Sequence, residues 1–432
     1  MKKYLGVLLS STLLFVSTFS EAQEKCGFSI GNKLKQLKNP NWIKQQAEFE
    51  YNLRVLQNDE NRKNLRVTDK VYRIPVVVHV IHNNESNFIG GTNNTNISDE
   101  QIKTQIRVLN EDYRRKTGTN GFNSNPAGAD MEIEFELALK DPKGNATNGI
   151  TRTYTSKTGF DLQYEGATLA NLIKWDYEKY LNIWVVKGKN GTIGYSEFPY
   201  DSNLIGLETT PEDIAGQQIF DGVIIDFENF GTCCLALRNS YNLGRTTTHE
   251  VGHWLGLLHP NGDESCGNVY CNDTPQIERM NDGITCNKLT SNCDGVVRTN
   301  MIENYMDYSP DRCMNVFTID QKNRTRAALQ TSLRRKRLLQ SLEPLEEKET
   351  LAVSVESNPI NISSKIKVLF KGEKNVNVGV FDLRGILVYE DTYEGQKSNI
   401  FPIKIDKLRT GSYIIRVMAG SETSSLRIVC IK

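Results

Sequence analysis

Residues 249–259 read His249-Glu250-Val251-Gly252-His253-Trp254-Leu255-Gly256-Leu257-Leu258-His259 and hold three of the five histidines in this 432-residue chain. Positions four apart lie on one face of an α-helix, so His249 and His253 can point their imidazoles at one ion. Glu250 then lies one step around the helix, beside the open coordination position. Apolar residues fall on another face, where they can anchor the helix in a core: Val251, Trp254 and Leu255. The stretch predicts a helix that begins near residues 242–244.

Gly256 follows one turn after His253, and glycine is the usual residue at a left-handed helix end. A turn there brings His259 back as a third ligand, while Pro260 prevents further helix. Three nitrogen ligands and one water form an open, tetrahedral zinc site. Zinc lowers the pKa of its water toward about 7, and Glu250 can take the proton as general base. The pattern predicts one catalytic zinc ion and peptide hydrolysis; the alternative is a buried helix with hydrogen-bonded histidines.

A second landmark, Asn304-Tyr305-Met306-Asp307-Tyr308, lies downstream of the histidines. With the zinc pattern and the stretches 74–82, 109–115 and 273–275, it makes residues 26–330 resemble the metzincin metalloproteases. Within them the chain is similar to the pappalysin group, and most to its bacterial cytophagalysin members. The resemblance implies an α+β catalytic domain with a twisted mixed sheet, an active-site helix and a C-terminal subdomain. It also implies that Met306 forms the floor under the metal and that Tyr308 stabilises the tetrahedral oxyanion.

The same resemblance suggests a specificity pocket and a second metal. Asp311 lies five residues beyond Met306, where close relatives carry an aspartate that lines the pocket for the residue after the scissile bond. A buried carboxylate favours Arg or Lys through charge-assisted hydrogen bonds, so cleavage before Arg or Lys is expected; the alternative is a surface aspartate in a turn. The family also binds structural calcium, and the matching positions are Asp273 and Thr274. The preceding Cys271-Asn272 departs from the usual acidic context.

The amino terminus, residues 1–22, has the form of a secretory signal. Two lysines precede a short apolar core at 5–16, and Ser20-Glu21-Ala22 fits a cleavage site. The apolar run is too short to span a membrane, and we expect no transmembrane segment. Acidic and basic side chains balance at 52 each, which gives no reason to expect nucleic-acid binding. The protein is expected to pass through the periplasm and to be secreted or attached to the cell surface.

Export allows disulfides, and nine cysteines leave at least one unpaired in the precursor. Five lie around the zinc region: Cys266, Cys271, Cys286, Cys293 and Cys313. The two disulfides of the family imply a bond between Cys286 and Cys313, and a second between Cys293 and either Cys266 or Cys271. The adjacent pair Cys233-Cys234 has no explanation at this level.

Residues 23–65 are polar, charged and helical in pattern, which is typical of a pro-segment. Cys26-Gly27 opens this segment, and family members carry a Cys-Gly near the same point. A propeptide thiolate can take the fourth zinc position and keep a protease latent, so Cys26 is a candidate switch; the alternative is a structural or stray thiol. Removal is expected in the basic stretch 61–73, and self-processing at Arg62 or Arg66 would agree with the Asp311 hypothesis.

The catalytic domain is expected over residues 66–342. Apolar runs and alternation predict strands near 72–81, 131–139, 181–186 and 223–227, and residues 192–198 could form the edge strand that binds an extended peptide. Ser98 and Thr318 each begin a capping box, and the second starts a last helix to about residue 340. The basic run 334–337 is interpreted as a solvated end of that helix.

The pattern changes after a charged linker at 343–352. Residues 353–432 combine short strands with turns, which predicts a small all-β sandwich. The L-x-x-G-x-Y pattern at 408–413 and the final strand resemble the C-terminal sorting domain of the type IX secretion system. That resemblance implies the secretion machinery as a partner beside protein or peptide substrates; the alternative is a carbohydrate- or protein-binding sandwich.

Two other functions compete with a secreted zinc endopeptidase. One is an inactive, zinc-bound binding module, and the other is an adhesin that carries a dispensable protease domain. Glu250 argues against the first, because loss of the base is the simplest route to an inactive protease.

Overall fold

The computed structural model describes residues 25–38, 41–58, 71–199, 220–234, 237–341, 351–355, 357–361, 364–370, 372–420 and 422–431. The signal segment, Arg62, Arg66 and most of the predicted linker lie outside the described residues. Contacts within the chain divide it into two compact units, one that ends at Leu342 and one that begins at Glu343. No helix among the described residues combines the length and the apolar character needed to cross a membrane.

Two helices precede the first strand, α1 (Phe28–Lys38) and α2 (Asn41–Asn58). Phe28, Phe49 and Leu53 on one face of these helices are buried against residues from later in the chain, in a cluster with Phe198, Ala327 and Ala328, whereas Leu37, Ile43 and Val55 are exposed. This amino-terminal segment is therefore packed on the rest of the unit through an apolar face.

A six-stranded mixed sheet forms the centre of the first unit. Its strands are β1 (Tyr72–His82), β2 (Ile133–Leu137), β3 (Ile150–Tyr154), β4 (Leu181–Val186), β5 (Gly194–Ser196) and β6 (Val223–Asp226). The order is β2-β1-β4-β6-β5, and β3 pairs with the far end of β1. Every pairing is parallel except that of β5, which runs antiparallel to β6 at the edge. All six residues of β4 are buried, as expected for a central strand covered on both faces.

Helices cover this sheet: α3 (Asp99–Tyr113), α4 (Gly166–Leu172), α5 (Arg245–Trp254), α6 (Ile319–Thr331) and α7 (Leu333–Ser341). The capping box at Thr318 is confirmed, because Thr318 and Gln321 bond reciprocally. At Ser98 only the N-cap half is present: Ser98 Oγ accepts from Gln101 N, but the Gln101 side chain donates to the carbonyls of Phe227 and Phe230. The single last helix that we predicted is two helices. The chain becomes extended at Ser332 (φ −63°, ψ 126°), which ends α6 before α7 begins.

The interpretation of residues 334–337 as a solvated helix end is wrong for two of them. Arg335 is buried, with two nitrogens 2.8 and 2.9 Å from the carboxylate oxygens of Asp221, and Arg334 reaches the same carboxylate at 3.1 Å. The Arg335 guanidinium also lies 3.8 Å from the ring centre of Trp254. Arg335 thus joins α7 to α5, and both arginines bind the Asp221 carboxylate just before β6.

The region after α5 contains a small hairpin of β7 (Thr290–Ser291) and β8 (Arg298–Thr299) and a network of disulfides. The structure pairs Cys286 with Cys313 and Cys266 with Cys293, and it also joins the neighbours Cys233 and Cys234. The thiols of Cys26, Cys271 and Cys430 are free and buried.

The second unit contains only strands apart from one short 3-10 turn in its described residues. The strands are β9 (Ala352–Val355), β10 (Lys365–Leu369), β11 (Lys374–Asp382), β12 (Leu387–Gln396), β13 (Asn399–Pro402), β14 (Gly411–Ala419) and β15 (Glu422–Cys430). They form antiparallel sheets of order β13-β10-β9 and β12-β11-β14-β15 around a shared apolar core. The predicted fold class, a mixed α and β catalytic unit followed by antiparallel sheets, is confirmed.

Candidate metal centre

Helix α5 is buried along its whole length and is fixed by α3. It begins after Gly244, whose φ of 80° is left-handed, at the start that the sequence predicted. Thr248 Oγ1 donates to the Asp112 carboxylate at 2.7 Å, and Arg245 forms an ion pair with the same carboxylate at 3.1 Å. Tyr113 also donates to the Thr248 carbonyl at 3.1 Å. The helix therefore presents its side chains from a rigid support.

Two glycines shape the turn and the floor of the site. Gly256 has a φ of 93°, which is the predicted left-handed turn that returns the chain toward His259. Gly252 faces Met306, and a Cβ at this position would lie 2.4 Å from Met306 Sδ. Because Gly252 has no side chain, the fully buried Met306 packs directly against the helix that carries His249 and His253.

Three imidazole nitrogens meet at one point. The Nε2 atoms of His249, His253 and His259 lie 3.0 to 3.2 Å from one another. The Nδ1 atom of each ring faces an oxygen acceptor, at Tyr305 O (2.8 Å), Leu257 O (2.8 Å) and Asp263 Oδ1 (2.6 Å) respectively. Because each Nδ1 must donate its proton outward, the three Nε2 lone pairs point inward at one another.

This arrangement fits a bound cation. Three converging lone pairs without a donor between them repel one another, and a divalent ion that favours imidazole nitrogen removes the repulsion. Burial lowers the pKa of His249 to about 3 and that of His253 well below its usual value, which keeps the rings in the neutral form that binds metal. The Cys26 sulfur joins the group, since one ligand atom from each of the four residues lies within 4.8 Å of the others.

Glu250 lies beside this cluster, between α5 and the edge strand β5. It is fully buried, and neither carboxylate oxygen accepts a hydrogen bond with good geometry. Burial raises the pKa of Glu250 to about 8, and the nearby Cys26 thiol offsets part of the rise. A Cβ on Gly194 of β5 would lie 2.4 Å from Glu250 Oε1, so the carboxyl occupies space that a larger residue in the edge strand would remove.

Tyr308 and Asp311 lie near the cluster and line one cavity with His249 and Glu250. The Tyr308 ring centre is 5.0 Å from that of His259 and 5.8 Å from that of His249. Asp311 is buried and lines a cavity of ≈ 30 Å³ that also contacts His249 and Glu250. Its Oδ2 accepts from the backbone N–H groups of Leu243 (2.8 Å) and Arg245 (3.2 Å), while Oδ1 accepts nothing. Burial raises the pKa of Asp311 to about 6.

The amino-terminal segment crosses the site next to β5. Ile193 N donates to Lys25 O at 2.8 Å and Gly27 N donates to Gly194 O at 2.9 Å, which pairs the segment parallel to the edge strand. Phe28 stacks on His253 with ring centres 4.1 Å apart. The Lys25 side chain lines the same cavity as Asp311 and donates to Tyr241 OH and to Asp282 O.

The predicted calcium residues lie elsewhere. Asp273 Oδ2 accepts from Asp320 N at 2.9 Å, and Thr274 Oγ1 lies 3.1 Å from Thr318 Oγ1, so both side chains are engaged within the protein. Within the described residues, the group of Cys26 and the three histidines is the one with the spacing of metal ligands.

Sequence reasoning missed Lys25 and Asp263. Asp263 orients His259 and also accepts from Ser29 Oγ at 2.7 Å. An acid four residues after the third histidine, and a lysine immediately before Cys26, are the signals that could have identified them.

Comparison with known proteins gives matches to both units. A profile of the family described as pregnancy-associated plasma protein-A, a peptidase family, matches residues 167–330, and one for a secretion system C-terminal sorting domain matches residues 357–432. An extracellular metalloprotease of Colletotrichum graminicola is 31% identical over 324 residues, covering 73% of this chain and 94% of the relative. Extracellular metalloprotease 1 of Coccidioides posadasii is 33% identical, covering 53% and 68%.

Two solved structures from Tannerella forsythia are also similar. A promirolysin mutant superposes with a TM-score of 0.60 at 34% identity, covering 73% of this chain and 97% of that one. Mature mirolysin in complex with a cleaved peptide gives a TM-score of 0.53 at 37% identity, covering 62% and 96%.

Both units thus point to one class of protein, a secreted metalloprotease whose C-terminal sorting domain directs it to the type IX secretion machinery. The chain covers 94% of the Colletotrichum graminicola relative and 97% of the promirolysin chain at more than 30% identity, which shows the family. The chain belongs to the M43 peptidases, the pappalysins. The family, the enzyme class and the secreted location predicted from the sequence are confirmed.

Proposed function

We propose that this protein is a zinc endopeptidase that is made as a latent proenzyme. His249, His253 and His259 are its zinc ligands. The observation that carries the proposal is the convergence of the three Nε2 atoms within 3.2 Å, each ring held by an outward hydrogen bond from Nδ1. Rings oriented in this way need no rearrangement to bind an ion.

Glu250 is the general base in this proposal. Zinc, when bound, polarises a peptide carbonyl and makes a nearby water more acidic. Glu250 takes the proton of the attacking water and then delivers it to the leaving amine. Its position beside the histidines supports this role: among the described residues only the Cys26 thiol of the pro-segment interacts with its oxygens, so the carboxylate is available to the water once that segment is removed. Tyr308, beside His249 and His259, donates its hydroxyl hydrogen to the oxyanion that develops.

The segment before β1 keeps the site closed. Cys26 Sγ lies among the histidine nitrogens where a fourth ligand belongs, and Phe28 covers His253. A substrate strand that pairs with β5 would need the backbone groups of Ile193 and Gly194 that the segment now uses. We assign residues 23–65 to the pro-segment, and the name promirolysin of the similar structure is consistent with a proenzyme.

The same segment supports a preference for Arg or Lys after the scissile bond. The Lys25 side chain of the segment lines the same cavity as Asp311, and its ammonium lies near Asp307 and Asp282. Asp311 Oδ1 is buried and accepts no hydrogen bond, so a cationic side chain of the substrate can supply a partner. Calcium at Asp273 and Thr274 stays a prediction, as do the bounds of 66–342 for the catalytic domain and 353–432 for the sorting domain.

The test compares hydrolysis of casein and of a broad peptide library by the secreted wild type and by Glu250→Ala. Mass spectrometry first verifies that the pro-segment has been removed, and elemental analysis counts zinc in each protein. Glu100→Ala, at an exposed position of α3, is the matched control. We expect about one zinc per chain in all three proteins and hydrolysis in all but Glu250→Ala. A wild type that binds zinc and leaves every substrate intact would be the inactive binding module instead.

A further inference from the structure

We propose that Arg324 forms a subsite of the mature enzyme that binds an acidic substrate residue on the amino-terminal side of the scissile bond. The inference rests on the proposed function in two respects. It takes residues 23–65 to be removed on activation, and it takes the Asp311 cavity to receive the residue after the bond.

Arg324 now binds a carboxylate of the pro-segment. Its side chain is fully buried in α6, and Nη1 and Nη2 donate to the two oxygens of Glu50 at 2.7 and 2.5 Å. Glu50 is itself buried and lies on α2. Among the described residues, Glu50 is the only carboxylate within ion-pair distance of Arg324. Removal of the pro-segment therefore takes away the partner of a buried, permanently charged group.

The guanidinium keeps its orientation without Glu50. Arg324 Nε donates to Gly256 O at 2.7 Å, in the turn that brings His259 to the metal site. Its planar group also lies 5.2 Å from the ring centre of Tyr270. Neither contact belongs to the pro-segment. The two terminal nitrogens thus remain directed at the space that the Glu50 carboxylate leaves, and a guanidinium fork matches a carboxylate in two-point geometry.

An apolar surface connects this position with the metal site. Phe28 stacks on His253 and packs against Phe198 with ring centres 5.3 Å apart, and Phe198 packs against Phe49 at 5.8 Å. Phe49 is the neighbour of Glu50. Phe198 follows two residues after the edge strand β5, so the surface continues the line along which an extended substrate pairs. When the pro-segment leaves, Phe198 and the Arg324 fork are uncovered together.

The direction along the cleft fixes the side of the scissile bond. The pro-segment runs from Lys25, which lines the Asp311 cavity, through Cys26 at the histidines to Phe28, which covers His253. Asp311 accepts from N–H groups at the start of α5, whereas Arg324 donates to Gly256 O just beyond its end, so the two lie at opposite ends of the helix that carries His249 and His253. If the cavity takes the residue after the bond, Arg324 meets residues before it. A peptide with an acidic residue a few positions before the bond and Arg directly after it would pair with both Arg324 and Asp311.

The experiment measures kcat/KM for peptide pairs that differ only by Glu or Gln at one position, scanned from two to five residues before the bond, with Arg after it. The enzyme is the full chain after activation, with its new amino terminus verified by mass spectrometry. We expect the wild type to prefer Glu by on the order of tenfold at one position. Arg324→Gln should abolish that preference, and Arg324→Lys should retain part of it. Lys322→Gln, on the same helix but paired with Glu132, should keep the wild-type ratio.

The Glu-to-Gln ratio separates recognition from a purely structural role at Gly256, because a distorted turn lowers both rates together. Equal rates for Glu and Gln at every position in the wild type, or an unchanged preference in Arg324→Gln, would overturn the proposal. If Arg324→Gln does not fold, Arg324→Lys is measured in its place. A Glu-to-Gln ratio below that of the wild type supports the proposal, and an unchanged ratio overturns it. The cleavage site in each product tests the Asp311 assignment separately: a cut that is not before Arg refutes that specificity, while the ratio still reports on Arg324.

Discussion

Replacement of Asp311 by asparagine tests the cleavage preference directly. The side chain keeps its volume, and its oxygen can still accept from the N–H groups of Leu243 and Arg245. The atom that replaces Oδ1 is then an N–H donor facing the cavity, where a carboxylate oxygen accepts nothing now. A guanidinium after the scissile bond would lose one charge-assisted hydrogen bond, about 1.5–3 kcal/mol. The lower part of that range applies, because Arg245 already offsets some of the Asp311 charge.

The assay compares kcat/KM for three peptides that carry Arg, citrulline or Leu after the bond. We expect Asp311→Asn to lower the value for the Arg peptide by about tenfold and to change the value for the citrulline peptide by less than about twofold. Citrulline retains the shape of arginine without its charge, so the comparison isolates the ionic contribution. Parallel losses on all three peptides, or a wild type that favours Leu, would refute the reasoning.

The ratio of kcat/KM for the Arg peptide to that for the citrulline peptide should also depend on pH. Burial raises the pKa of Asp311 to about 6, so the free enzyme loses the carboxylate charge as the pH falls through that value. The wild-type preference for Arg over citrulline should therefore decline below about pH 6, and Asp311→Asn should show a flat ratio. Groups that act on the chemical step, such as Glu250, affect both peptides and cancel in the ratio. Asp307, which lines the same cavity and whose pKa is also raised by burial, is controlled for by the flat ratio expected in Asp311→Asn. A wild-type ratio that stays constant from pH 5 to pH 8 would contradict the assignment.

Three other predictions follow from contacts described above. Cys26→Ala should give a proenzyme that hydrolyses peptide before its pro-segment is removed, measured on protein whose intact mass is verified; an equally latent variant would remove Cys26 as the switch. Asp221→Asn should lower the free energy of unfolding in urea by about 3 kcal/mol, because Arg335 is left buried without a counter-charge. Burial raises the pKa of Asp221, but Arg335 and Arg334 outweigh it and hold the value below normal, so this stabilisation should persist above about pH 4 and disappear as the pH falls through the folded-state pKa. Deletion of residues 351–432 should abolish export while peptide hydrolysis in the cell lysate survives; export of the truncated protein would contradict the sorting role.

The metal site was predictable because its geometry is local. The four-residue spacing of His249 and His253 places both rings on one helix face, and Gly256 predicts the turn that brings His259 back to them. The buried central strands were also readable from apolar runs, and the stretch 192–198 that could form the edge strand contains β5. Each of these predictions depends on residues within about a dozen positions of one another, where backbone periodicity fixes distance.

The contacts that surround the metal site were not predictable from the same patterns. Arg335 and Arg337 are neighbours in one basic run, yet Arg335 is buried on Asp221 and Arg337 is exposed. Asp221 is 114 positions away from Arg335, and Glu50 is 274 positions away from Arg324. Periodicity carries no information about which strand or helix will lie opposite a given side chain. Burial of a charged residue is decided by that distant partner.

The supports of the metal site also set an order of events in folding. His249 is oriented by the carbonyl of Tyr305, Met306 fills the space against Gly252, and the turn at Gly256 is held by Arg324. All three supports lie at least 46 residues beyond His259, since 305 − 259 = 46. Without the Tyr305 carbonyl only the rings of His253 and His259 are held, by Leu257 O and Asp263, which is one ligand fewer than the proposed zinc site needs. Metal loading is therefore a late step, and the protease cannot become competent before its scaffold is complete.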